Sequence, residues 1–165
     1  MTETASSSLA QRQAELVAAL ARGSPAPAGF DRERLRLAGE SLARKRAGAV
    51  ARAWPRLTVA LADRYPTLFS EFASAHPLPS HGGPLADGRA FARWLANRGQ
   101  LADAGKLETL MVDLHFVSGP QGLRPRRGPA LKAVWLGERR RLVLGVRLAW
   151  FARCVTMPLG RLWDK

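Results

Sequence analysis

Hydrophobic positions recur at helical spacing through the first two thirds of the chain and switch to a period of two near residue 130. Leu9, Leu16, Val17 and Leu20 form one stripe, predicting a helix from Ser7 or Ser8 through Arg22, with GSPAPAG as a linker behind it. Asp31 is placed to cap a second helix, because a carboxylate there accepts early N–H groups at the positive end of the dipole. That helix carries Leu35, Leu42 and Val50, has a basic patch at Arg44–Arg46, and must stop near Pro55. Pro55 can open a third helix, with the row Leu57, Ala60, Leu61 and Arg64. Tyr65-Pro66 breaks the pattern before a short helix with Leu68, Phe69 and Phe72 inward. After the Pro- and Gly-rich loop HPLPSHGGP, a helix with Leu85, Phe91, Trp94 and Leu95 is expected. The last helix has Leu107, Leu110, Met111 and Leu114 as its stripe and ends at Gly119.

PQGLRPRRGP then reads as a basic linker without periodicity. Beyond it Leu131, Ala133 and Trp135 alternate with Lys132 and Val134, Gly137–Arg140 suits a hairpin turn, and Leu142, Leu144, Val146 and Leu148 alternate with Arg141, Val143, Gly145 and Arg147. Phe151–Met157 completes three strands. The expected fold is α+β: a helical domain of five to six helices over residues 1–119, then a small antiparallel β-sheet domain over residues 120–165. So few strands need a helix against them, or a strand from another chain.

Charge sharpens the division. The 165 residues carry a net charge of +13. Residues 1–119 hold 15 basic and 11 acidic residues, whereas residues 120–165 hold 11 basic and 2 acidic. The strand-bearing end therefore attracts anions: nucleic acid, an acidic surface or an acidic peptide. The single cysteine, Cys154, excludes an internal disulfide framework and fits a reducing compartment. No secretory signal and no apolar run of membrane-spanning length is visible, so a cytoplasmic protein without a membrane association is expected.

Candidate chemistry is sparse. His76 and His81 share a loop with only Asp87 near them in sequence, fewer donors than a metal site uses. Cys154 has no neighbouring histidine to activate it, and neither a nucleophile elbow nor a phosphate-cradling glycine loop occurs. No catalytic, cofactor or metal residue is assigned, and the chain is read as a non-enzyme.

The run from Ala43 to Leu95 carries a basic stretch, then Tyr65-Pro66-x-Leu68, Phe69-x-x-Phe72, His76-Pro77, and Leu85-x-x-Gly88-x-x-Phe91-x-x-Trp94-Leu95. These features resemble the helical domain of the HvfC/BufC/MbnC type of partner protein. The resemblance implies an accessory subunit of a multinuclear non-haem iron-dependent oxidative enzyme, acting on a ribosomally synthesised precursor peptide. It implies that the helical domain docks on the enzyme and that the strands hold the peptide's leader. Iron would belong to the enzyme, and the chain would have no cofactor of its own. On this reading Tyr65, His76, Pro77 and Trp94 mark the partner interface. Arg141, Val143, Gly145 and Arg147, with Arg139 and Arg140, are the expected contacts of an acidic leader peptide. The alternative is a nucleic-acid-binding regulator that uses the same basic end on phosphates.

Overall fold

The computed structural model describes Gln11 and residues 31–137, 141–148 and 151–157, the last as backbone. Its helices are α1 (Arg32–Ala53), α2 (Pro55–Leu61), α3 (Tyr65–Ala75), α4 (Gly83–Asn97) and α5 (Asp103–His115), with a 3-10 turn at Ala62–Arg64. Its strands are β1 (Phe116–Gly119), β2 (Gly122–Pro125), β3 (Ala130–Leu136), β4 (Arg141–Leu148) and β5 (Phe151–Met157). The class is α+β. The expected five to six helices are not matched among the described residues: α1, α3, α4 and α5 run for 11 residues or more, and α2 is a single short stretch of 7. The expected helix through Arg22 lies outside the described residues, Gln11 apart.

The chain divides into two compact units, Met1–Ala49 with Arg64–Leu78, and Val50–Asp63 with Pro79–Lys165. The boundary expected at residues 119/120 falls inside the second, so α4 and α5 belong with the strands.

In the first unit, Asp31 caps α1 as its chemistry requires, its Oδ1 accepting the N–H of Glu33 at 2.9 Å and of Arg34 at 3.4 Å. Tyr65, Leu68, Phe69, Phe72 and Ala73 bury one face of α3. Arg46, one of the basic patch at Arg44–Arg46, is buried: its guanidinium donates to the carbonyls of Ala73 (3.4 Å) and His76 (3.1 Å), satisfying the carbonyl end of α3.

In the second unit, α5 is the hub, packed against α2, α4, β1, β3 and β4. Trp54, Leu57, Phe91, Leu95 and Leu114 are fully buried, each side chain contributing roughly 1.5–3 kcal/mol of apolar burial. Pro55 opens α2, and Glu108 on α5 supplies its cap from a distance, accepting the N–H groups of Arg56 (3.3 Å) and Leu57 (2.7 Å). The Trp54 indole N–H donates to Leu85 O at 3.1 Å, and Gly88 lies flat under that ring, where a Cβ would overlap it.

α5 stops at His115, four residues before the end expected at Gly119. Residues 116–125, expected as helix end and linker, pair as an antiparallel hairpin, Phe116 opposite Pro125 and Gly119 opposite Gly122. Gly122 also bridges His81 in parallel, with His81 N donating to Gln121 O and Leu123 N donating to His81 O. The second sheet has the order β3-β4-β5, antiparallel throughout, as the period-two pattern requires.

Candidate functional site

The register of the three-stranded sheet decides which side chains it offers. Leu136, Val134, Lys132 and Ala130 pair with Arg141, Val143, Gly145 and Arg147, so these eight share one face. That face is turned to α5. A Cβ on Gly145 would stand 2.8 Å from Leu114 Cδ1 and 3.3 Å from Leu110 Cγ, and Val143 is 2% exposed. Gly145 is there because a helix packs on the strand at that point.

This corrects the expected peptide contacts. Val143 and Gly145 lie against α5 and offer nothing to a ligand. Arg147 is committed to the backbone, donating to Arg126 O at 2.7 Å and Gly128 O at 3.2 Å, and so holds the segment leading into β3. Arg141, at the start of β4, is exposed. Arg139 and Arg140 lie outside the described residues.

The opposite face is the one that the sequence reading missed. Leu131, Ala133 and Trp135 pair with Val146, Leu144 and Leu142, and Leu148 continues the row. None of the seven is charged. Leu131 is 69% exposed, Leu148 58% and Trp135 53%. Leu142, Leu144, Val146 and Leu148 are in register with Met157, Val155, Arg153 and Phe151 of β5, so Arg153 is the one charged residue at these register positions. A sheet packed on one side normally turns its polar row to water. Here the row that carries Lys132, Arg141 and Arg147 is on the packed face, and the row of β3 and β4 that lies outside holds no charged residue. The expected contacts Arg141, Val143, Gly145 and Arg147 all lie in the row on the α5 side, and a shift of one residue exchanges the two faces. The signal in the sequence was Gly145 and Val143, small and β-branched residues at the middle of the arginine-bearing row.

Lys132 and Arg141 are exposed but belong to the row on the α5 side, and Arg124 and Arg127 are exposed in the segment before β3. Arg126 is turned inward and donates to Asp113 O at 3.3 Å, and Asp113 in turn holds Arg89 through two bonds of 2.7 and 2.8 Å.

Of the residues expected at the partner interface, Tyr65, His76 and Pro77 fall in the first unit and Trp94 in the second. Tyr65 is buried, its hydroxyl donating to Ala47 O at 2.7 Å. His76 stacks on Phe72 at 4.6 Å, its Nδ1 donating to Phe72 O at 2.9 Å. Pro77 is exposed. Trp94 is half-buried beside Phe91, with the Arg98 guanidinium 3.8 Å over its ring. Tyr65 and His76 thus hold α3 in place, and Pro77 and Trp94 reach the surface.

Among the described residues no cluster of three or more His, Cys, Asp or Glu could hold a metal ion, and no helix is long and apolar enough to cross a membrane. Cys154 lies opposite Gly145 on β5.

Fold and surface define an α+β chain whose conspicuous feature is the exposed, uncharged outer face of β3 and β4. The chain belongs to the family described as SCO6045-like, C-terminal domain, which matches residues 10–97. It is similar to a UPF0276 protein of Streptomyces avermitilis, 40% identical over 124 residues, covering 75% of this chain and 25% of that protein. The chain therefore spans about a quarter of the length of that curated relative. No solved structure matches.

Proposed function

We propose that the chain is a non-catalytic partner module that binds a larger enzyme and presents a ribosomally synthesised precursor peptide to it. The observation that carries this reading is the relation to the longer relative: the similar stretch is 25% of a protein whose remaining three quarters lie outside the match, and the family is described as a C-terminal domain. A module that one relative joins covalently to a larger body is suited to working beside such a body. The resemblance of Tyr65-Pro66, His76-Pro77 and the Leu85–Leu95 run to the HvfC/BufC/MbnC type makes that body a multinuclear non-haem iron-dependent oxidative enzyme. Iron would be held by the enzyme, in the cytoplasm. Pro77 and Trp94 are the surface-reaching members of the expected enzyme contacts, and the C-terminal sheet is the peptide-presenting part.

Co-expression with the products of neighbouring genes, affinity capture of this chain and iron analysis of the captured material test the reading. An iron-containing enzyme and a small precursor should be recovered together. Recovery of neither overturns it. Capture of generic duplex DNA, with affinity falling steeply as salt rises, would favour the nucleic-acid-binding alternative instead.

A further inference from the structure

We propose that the outer face of β3 and β4, over Leu131, Trp135, Leu142, Leu144 and Leu148, receives a single amphipathic helix of the precursor peptide, apolar along one stripe and acidic beside it. The inference rests on the peptide-presenting function and specifies where and in what form the peptide sits.

Three observations select this occupant. The first is size. Three strands about 4.8 Å apart and seven residues long, at about 3.4 Å per residue, present roughly 300–350 Å². A stable complex of two folded proteins covers about 800 Å² on each partner, so this face alone is too small for a folded body. The second is the sheet's own solution on its inner side. One helix of 13 residues, α5, covers Val143 and Gly145 there, and at about 1.5 Å per residue it is some 20 Å long, close to the length of the strands it crosses. A second helix of the same length would cover the outer row in the same way, its i, i+3, i+4 and i+7 residues meeting Leu131, Trp135 and Leu144. The third is charge. Residues 120–165 hold 11 basic and 2 acidic residues, and Arg153 of β5 is in register with Val146 of the outer row. A second copy of this chain would bring two such ends together against their mutual repulsion, whereas an acidic segment is attracted.

The probe is a synthetic 14-residue helical peptide, leucines at i, i+3, i+4 and i+7 and glutamates beside them, labelled for fluorescence anisotropy and titrated with the full chain. Saturable binding is expected. The double variant Leu131→Ser/Trp135→Ser should weaken it at least tenfold, as should replacing the peptide's glutamates with lysines. Val59→Ser, at an exposed residue of α2, should leave it unchanged, and far-UV circular dichroism checks that each variant folds. Absence of binding, or equal binding by the double variant, overturns the proposal. So does a dimer in sedimentation, or capture by phosphatidylserine vesicles, that the double variant abolishes. In the co-expression capture, recovery of the precursor by the double variant as efficiently as by the unmodified chain overturns this inference alone. Recovery of neither enzyme nor precursor by the unmodified chain overturns it together with the proposed function.

Discussion

Single positions in the second unit are set by close approach. Gly88 has no room for a methyl group under Trp54, so Gly88→Ala should overpack the site and cost about 1–3 kcal/mol, read as a lower urea midpoint at an unchanged slope. Glu108 caps a helix from 51 residues away, and Glu108→Ala leaves the Leu57 N–H without its acceptor, at about 0.5–2 kcal/mol by the same measurement. Arg147 binds two carbonyls through one guanidinium nitrogen. Arg147→Ala should therefore speed amide hydrogen exchange in residues 126–130 and leave β4 protected. A role for Arg147 in peptide contact alone would leave exchange in the free protein unchanged.

At the scale of elements, the two rows of β4 should respond in opposite ways. Val143→Asp buries a carboxylate against α5 and should unfold the sheet, measured as loss of cooperative thermal denaturation. Leu131→Ser removes an exposed side chain and should change stability by no more than about 0.5 kcal/mol. The period-two pattern made these strands legible without any structure, as did the proline and aspartate signals at the starts of α1, α2 and α3. The β1–β2 hairpin was illegible for a physical reason. Its strands are four residues each, too short to establish a period, and Leu123 is its one buried residue. Its pairing is held partly by His81, far away in sequence, whose backbone completes the bridge to Gly122.

At the scale of the whole molecule, charge governs approach. Binding of the acidic probe should weaken as salt rises from 50 to 200 mM, in the order of a few screened contacts and far less than a binder of many phosphates would show. Titrations at several salt concentrations give the slope. A slope as steep as for duplex DNA would count against a largely apolar docking face.

The sequence by itself determined the elements and the asymmetry of charge, because periodicity, caps and ionisable groups are local properties that each stretch carries with it. It determined that the strands are antiparallel neighbours, since Gly137–Arg140 leaves room only for a hairpin. The tertiary structure decided which face of those strands is inside. That choice depends on where α5 lies, and Leu110 and Leu114 meet Gly145 only after the chain has turned back through the 116–125 hairpin. It also turned Arg46, Arg126 and Arg147 from apparent surface charges into supports for backbone carbonyls, since a carbonyl left bare by a helix end or a loop can be met only by a side chain that folding brings to it.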